Sequence, residues 1–304
     1  MAMTAPLHRS SLRPILLTAL ALAAGPGHAQ TAPAAPVHAA AESFRVVPEL
    51  GQGFQALGTR GVIAIYDDQA RRWTVSDPAR AYRAYSPAST FKIPNTLIAL
   101  ETGVALDEAQ VFKWDGKKRW NEDWNQDQTL QTAFRFSAVW VYQEIARRVG
   151  AEGLQSRLWA WRYGNAVAGP KHDSFWLDGS VRITALEQID FLRRFAEHRL
   201  PISERTETLG RRVFLRDETP AWQLFAKTGW DGSGPVDLGW FVGWTERKAR
   251  AGRCFFALNM DMQVDPKTLP KGTKPPSQHT LIAQLGPHRE RLARQALQAQ
   301  GCLD

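Results

Sequence analysis

The chain has 304 residues, of which 44% are hydrophobic and 22% are charged, with 23 glycines and 18 prolines. This composition excludes disordered, collagen-like and low-complexity proteins, and the length allows one large domain or two modest ones. The net charge of +8 is spread along the chain, so we interpret it as a solvated basic surface and expect neither a nucleic-acid nor a membrane partner.

The first 29 residues have the order of a secretory signal. Two arginines precede an apolar run over residues 15–24, and the small residue Ala29 ends the segment. A membrane-spanning helix needs about 20 apolar residues, and this run has only about ten. We therefore predict a signal peptide over 1–29, a flexible leader over 30–42, and a soluble periplasmic domain over 43–304. A buried N-terminal helix is the alternative, but it would leave the basic flank and the cleavage-like end unexplained.

The first half of the domain begins with strand patterns and continues as helices. Residues 61–66 read as a buried strand, and 72–75 as its hairpin partner. From Thr90 to about Glu101 the apolar spacing predicts a mostly buried helix, which Gly103 ends.

The helical pattern continues over about 105–200, with 142–149 and 185–195 as its clearest helices. Strand patterns return after Pro220 and are followed by a final helix from about Arg289. The three strands are 222–227, 239–244 and 254–260. This order predicts an α/β fold with a central, mainly antiparallel sheet flanked by helices and an inserted all-helical region.

Two cysteines follow the predicted signal. Cys254 opens the last predicted strand and Cys302 follows the final helix. At about 3.3 Å per strand residue and 1.5 Å per helix residue, both elements span about 20 Å, so antiparallel packing would bring the two sulfurs together. An exported protein can keep such a disulfide, and the alternative is two free thiols, one of them buried in the sheet.

Ser89 and Lys92 carry the first chemical signal. They stand three residues apart near the start of a predicted helix, so both project from one face. A serine hydroxyl is a weak nucleophile, and a lysine can act as its base only where burial keeps the amine neutral. The apolar neighbours Phe91 and Ile93 suit that requirement. Alone, such a pair is a weak signal, because most pairs with this spacing are residues on a helix surface.

Two later motifs make the signal specific. Ser137-Ala138-Val139 begins an apolar helix, and Lys227-Thr228-Gly229 ends a strand. S-x-x-K followed by K-T-G is the motif set of class A β-lactamases and penicillin-binding proteins, in which the serine is the nucleophile. Each later motif alone is more often a helix cap or a turn, so the order of the three carries the prediction.

The wider sequence resembles the class D serine β-lactamases, the oxacillinase family, over about residues 60–300. The middle motif is Ser-Ala-Val and lacks the Ser-Asp-Asn of class A. The matching segments, in the family's order, are Pro87–Asn95, Phe112–Gly116, Trp140–Gln143, Tyr163–Asn165, Phe175–Leu177, Gly243-Trp244 and Asn259–Asp261. The resemblance implies the serine β-lactamase and penicillin-binding transpeptidase fold, and hydrolysis of β-lactam antibiotics that confers resistance.

The resemblance also implies catalytic roles. Ser89 would form an acyl-enzyme that water hydrolyses. Lys92 would take up CO2 as a carbamate and act as general base, with no dissociable cofactor and no metal. Trp176 would donate its indole N–H to that carbamate. The apolar wall around it would consist of Val139, Leu177 and Phe91.

Ser137 corresponds to the family's serine that passes protons to the leaving nitrogen. Backbone N–H groups of Ser89 and Trp230 would stabilise the oxyanion. The residues implied in substrate binding are Lys227, Thr228, Gly229, Trp230 and Arg289. Arg289 keeps the family's spacing to Gly301. The segment over 264–287 has more residues than is usual in the family, so Arg291 is the alternative.

Other classes of protein fit less well. A penicillin-binding protein or a sensor-type receptor would share the motifs and acylate without efficient turnover. The seven histidines form no H-E-x-x-H or H-x-H cluster, which argues against a metal centre. The expected partner is a small β-lactam substrate, and the motifs imply no particular oligomeric state.

Overall fold

A computed structural model describes residues 42–248, 252–263 and 278–304. The predicted signal peptide and all but the last residue of the predicted leader lie outside these ranges, so both stay predictions. Among the described residues, no helix combines the length and the apolar character that crossing a bilayer requires.

Seven strands within the described ranges form one sheet, and two short strands pair separately. The strands are Ser43–Val46 (β1), Gly61–Asp67 (β2), Arg72–Val75 (β3), Val111–Phe112 (β4), Gln128–Thr129 (β5), Leu215–Glu218 (β6), Trp222–Asp231 (β7), Leu238–Arg247 (β8) and Arg253–Asp261 (β9). The large sheet has the order β1-β3-β2-β9-β8-β7-β6, and β4 pairs with β5. Every neighbouring pair is antiparallel except β1 and β3.

Helices cover both faces of this sheet. They are Gln52–Ala56 (α1), Pro78–Ala81 (α2), Lys92–Glu101 (α3), Leu130–Arg135 (α4), Val139–Ala160 (α5), Ala185–Ala196 (α6), Glu204–Phe214 (α7) and Gln278–Ala299 (α8). Helix α8 packs on one face, against β8 and β9, while α6 packs on the other and α3 lies between α5 and α7. The predicted fold class, a mainly antiparallel sheet flanked by helices, is confirmed.

Strand β9 shows how the sequence divides the core into two layers. Cys254, Phe256 and Leu258 lie in the apolar cluster that includes α8. Phe255 and Ala257 lie in the larger cluster under the other helices. Because successive strand residues point to opposite faces, a strand covered on both sides is apolar throughout. The run Cys254–Met260 is therefore almost continuously hydrophobic.

The stretch predicted as mainly helical, about 105–200, contains more than helices. Helices α4, α5 and α6 lie there, but so do the β4–β5 pair and an irregular segment over 161–184. Helix α5 is interrupted at Gly150, whose φ of 79° departs from helical geometry. Helix α7 and the edge strand β6 were not anticipated from the sequence.

Cys254 and Cys302 form a disulfide, with their Cα atoms 5.8 Å apart. It connects the start of β9 to the chain just after α8. Of the two alternatives left open by the sequence, the structure therefore has the disulfide and no free thiol pair.

Removing this disulfide with Cys254→Ser and Cys302→Ser should lower the free energy of unfolding by about 4 kcal/mol, because the crosslink joins residues 48 positions apart and restricts the unfolded chain. Chemical denaturation of the double variant and the oxidised parent measures the difference. Reductant should destabilise the parent and leave the double variant unchanged. Equal stability of the two oxidised samples would contradict the prediction.

Candidate active site

Ser89 lies on a tight helical turn, Ala88–Phe91, that leads into α3. Ala88 has a φ of 47°, which is unusual for a residue with a Cβ and marks a constrained backbone. The N–H and hydroxyl of Thr90 both donate to the Pro87 carbonyl, at 3.0 and 2.7 Å, and hold the turn. The serine is thus fixed just before the regular helix rather than within it.

Lys92 begins α3, and its Nζ donates to Ser89 Oγ at 2.9 Å. The lysine is only 1% exposed, and its amine lies 5.2 Å from the centre of the Tyr142 ring. Burial lowers the pKa of Lys92 from 10.5 to about 7. Near neutral pH a large share of the amines is therefore uncharged, as a base or a nucleophile toward CO2 requires.

Trp176 lies at the apolar side of this turn. Its ring stacks on Phe91 with centroids 5.4 Å apart, and its carbonyl accepts a hydrogen bond from Ser86 Oγ at 2.9 Å. The side chain is fully buried, yet the indole Nε1 has no hydrogen-bond partner among the residues that the structure describes. Val139 and Leu177 are partly buried against the same core. A buried donor without an acceptor costs free energy, which an acceptor in the pocket would recover.

Ser137 occupies the turn between α4 and α5, with a left-handed φ of 58°. Lys227 Nζ donates to Ser137 Oγ at 2.5 Å and to the Thr228 carbonyl at 3.0 Å. Lys227 is 3% exposed, and burial, followed by the charges of Lys92 and two arginines, lowers its pKa well below its usual value. The Lys227–Ser137 pair therefore lies close enough to Lys92 and Ser89 for the charge of one lysine to affect the pKa of the other.

Strand β7 brings the K-T-G motif against the serine turn. A Cβ placed on Gly229 would lie 3.1 Å from both the Pro87 carbonyl oxygen and the Thr90 side chain. The absent side chain therefore allows β7 to approach the turn that carries Ser89. Thr228 and Trp230 flank this contact point along the same strand.

The structure distinguishes the two candidate arginines. Arg289 is 8% exposed, donates through Nη1 to the Gly229 carbonyl and lies 5.7 Å from the Trp230 ring centre. Arg291 is exposed and donates to His288. Only Arg289 adjoins the K-T-G strand.

The sequence did not identify three residues that contact the predicted site residues. Tyr142 lies against the Lys92 amine, and Phe134 lies 5.5 Å from Lys227 Nζ. Ser86 holds Trp176. Tyr142 could have been found, because it follows Val139 by three residues and shares its helix face. Ser86 is a single serine in a loop and carries no recognisable signal.

The part of the chain that the structure describes contains no group of three or more histidine, cysteine or acidic side chains able to hold a metal ion.

Known proteins match this chain over most of its length. Residues 59–270 match the family described as the penicillin binding protein transpeptidase domain. β-Lactamase OXA-48 of Klebsiella pneumoniae is 43% identical over 204 residues, which are 67% of this chain and 76% of the relative. β-Lactamase OXA-10 of Pseudomonas aeruginosa is 39% identical over 217 residues, which are 70% of this chain and 81% of the relative.

Solved structures agree with these relatives. The class D β-lactamase YbXI from Nostoc superimposes with a TM-score of 0.74 at 37% identity, covering 84% of this chain and 99% of the other. The class D β-lactamase from Sebaldella termitidis superimposes with a TM-score of 0.78 at 31% identity, covering 87% of this chain and 100% of the other. With the serine, lysine and K-T-G elements brought together in one site, these matches confirm the resemblance seen in the sequence: the chain belongs to the class D β-lactamases.

Proposed function

We propose that the protein opens β-lactam rings by covalent catalysis at Ser89, with the side chain of Lys92 as general base. The observation that carries this proposal is the 2.9 Å hydrogen bond between Lys92 Nζ and Ser89 Oγ in a site that buries the amine. The family assignment gives the substrate class, and this geometry supports the assignment of the residues.

In acylation, Ser89 Oγ gives its proton to the Lys92 side chain and bonds to the lactam carbonyl carbon. Backbone N–H groups of Ser89 and Trp230 would stabilise the oxyanion, and losing one such donor typically costs about 10²–10³ in rate. The carbon–nitrogen bond then breaks, and Ser137, hydrogen-bonded to Lys227, passes its proton to the leaving nitrogen and takes back the proton that the Lys92 side chain had accepted, so that Lys92 is again free to act as a base.

In deacylation, water gives a proton to the Lys92 side chain and attacks the Ser89 ester. The ester carbon–oxygen bond breaks, and Ser89 Oγ regains its proton as the product leaves. The same side chain thus serves both halves of the reaction.

The pocket is suited to a carbamate on Lys92. Carbamate formation needs an uncharged amine, which the lowered pKa of about 7 provides, and it would supply an anionic general base. The indole N–H of Trp176, which no described residue accepts from, supports this proposal, because it offers a buried donor to such an anion.

Substrate binding would use the charge beside β7. β-Lactams carry a carboxylate, and Arg289 has no carboxylate partner among the described side chains. Arg289 and Lys227, with the Thr228 hydroxyl, therefore form a cationic edge that can bind this group. We assign Gly229 the structural role of allowing that edge to approach Ser89.

We also propose that the protein is exported to the periplasm. The signal-like pattern over residues 1–29 supports this, and so does the Cys254–Cys302 disulfide, since disulfides persist in oxidising compartments.

Steady-state hydrolysis of a chromogenic cephalosporin, with and without added bicarbonate, tests the proposed chemistry. Lys92→Ala should lower kcat/KM by roughly 10²–10⁴ and bicarbonate should not restore it, because the general base is gone. Lys113→Ala, which removes an exposed lysine, is the control. Consumption of a single equivalent by the parent protein, even with bicarbonate, would instead indicate a penicillin-binding or sensor-type protein.

Trp176→Phe should raise the bicarbonate concentration needed for half-maximal activity by roughly tenfold, because it removes one charge-assisted hydrogen bond from the proposed carbamate while keeping the apolar ring. Titration of activity with bicarbonate measures this. Trp161→Phe is the matched control, because Trp161 is equally buried but packs on Phe191 rather than Phe91. Equal bicarbonate requirements in both variants would contradict the role of Trp176.

Lys92→Met should stabilise the protein while inactivating it. The unfolded chain binds the lysine proton below about pH 10.5 and the folded protein only below about 7, so the penalty is full below pH 7 and shrinks as the pH rises towards 10.5. The gain should be about 4 kcal/mol at pH 7 and about 2 kcal/mol at pH 9. Urea unfolding in CO2-free buffer measures it, and a gain that does not fall with pH would contradict the buried neutral amine.

A further inference from the structure

Arg289 is held by contacts that depend on where helix α8 lies. Its Nε donates to the Gly286 carbonyl at 3.0 Å, and its Nη1 donates to the Gly229 carbonyl on β7. A Cβ on Gly239 of β8 would come within 2.5 Å of Arg289 Cδ, so the side chain fills the space above the sheet. A small rotation or shift of α8 would therefore move the guanidinium relative to β7.

Apolar residues and the disulfide hold α8 against the middle of the sheet. Leu292, Ala293 and Leu297 set the distance of the helix from β8 and β9. Towards the sheet edge at β6, the helix is instead joined to the sheet by charged side chains. These contacts come from the residue directly after Arg289.

Glu290 lies at the centre of this charged network. Its Oε2 accepts from Arg216 Nη2 at 2.7 Å, and its Oε1 accepts from Arg294 Nη2 at 3.0 Å. Arg294 Nη2 also donates to Asp217 at 2.9 Å. Arg216 and Asp217 lie on β6, while Glu290 and Arg294 lie one turn apart on α8, so the four side chains join helix to strand.

The network is partly shielded from water. The Glu290 side chain is 24% exposed, compared with 35% for Arg216 and 27% for Arg294. Burial alone would raise the pKa of Glu290, but the hydrogen bonds from Arg216 and Arg294 lower it overall, so the carboxylate stays charged. Burial lowers the pKa of Arg289 to about 10, and the charge of Glu290 opposes this while the charge of Arg216 adds to it, so the network acts electrostatically on Arg289.

We propose that Glu290, held between Arg216 and Arg294, is a positioning residue that sets the orientation of α8 and so places Arg289 for the substrate carboxylate. This inference rests on the proposed role of Arg289 in binding that carboxylate. It assigns Glu290 no contact with substrate, and it predicts an effect that depends on whether the substrate carries a negative charge.

The test compares a chromogenic cephalosporin with its methyl ester, using the full chain. Glu290→Gln should raise KM for the free acid by roughly tenfold, because the guanidinium is misplaced, and leave kcat and the KM of the ester unchanged. Arg216→Gln should also raise KM for the acid alone, and the double variant should be no worse than Glu290→Gln, since that single change already breaks the ion pair between the two residues.

Two further variants separate the possible outcomes. Glu197→Gln is the matched control. Glu197 also lies between two arginines and its side chain is 23% exposed, but it lies at the C-terminal end of α6, on another helix than Arg289. This substitution should change melting temperature without changing either KM. Arg289→Ala should raise KM for the acid alone.

If Arg289→Ala discriminates acid from ester but Glu290→Gln does not, the inference about Glu290 is wrong and the proposed function stands. If Glu290→Gln raises both KM values equally, the network only stabilises the fold and the inference is again wrong. If Arg289→Ala affects acid and ester alike, the proposed role of Arg289 fails, and the inference that rests on it fails too.

Discussion

The proposed chemistry depends on keeping one amine out of water beside one hydroxyl. Lys92 is almost completely buried and hydrogen-bonded to Ser89, and its pKa is lowered to about 7 by burial alone. An exposed lysine would be protonated at neutral pH and could not accept a proton from serine. The free energy needed to hold the amine neutral must come from the rest of the fold, where close-packed aromatic rings around Phe91 provide apolar contacts. A stable core is therefore a condition of the chemistry.

The helical layer and the sheet each contribute residues to the site around the Lys92 amine. The helical layer contributes the serine turn, α3 and the α4–α5 turn with Ser137. The sheet contributes β7 with the K-T-G motif, and α8 reaches the same strand from its other face through Arg289. The proposed nucleophile and base thus lie on one turn and the helix that directly follows it, while the proposed cations for the substrate come from other elements. Such a division allows the binding edge to vary while the reacting pair stays fixed.

Much of the site could be predicted because its residues lie in short motifs. Ser89 and Lys92 are three residues apart, and Lys227-Thr228-Gly229 is contiguous, so each motif can be recognised locally and their order along the chain makes the prediction specific. The sheet was predicted from alternating and continuous apolar patterns that burial on both faces imposes. The pairing of Ser86 with Trp176, and of Glu290 with Arg216, joins residues that are far apart in sequence. Single polar residues in such pairs carry no periodic signal, and the short β4 and β5 strands have too few residues to form one.

The close contact at Gly229 limits how this enzyme can evolve. The neighbouring group is a backbone carbonyl in the constrained turn before Ser89, which cannot rotate away as a flexible side chain could. Any larger residue there would require this turn to shift by a few tenths of an ångström. A Cβ on Gly234, in the connection between β7 and β8, would meet only ordinary van der Waals contacts, so the sequence can change more freely at this connection than at position 229.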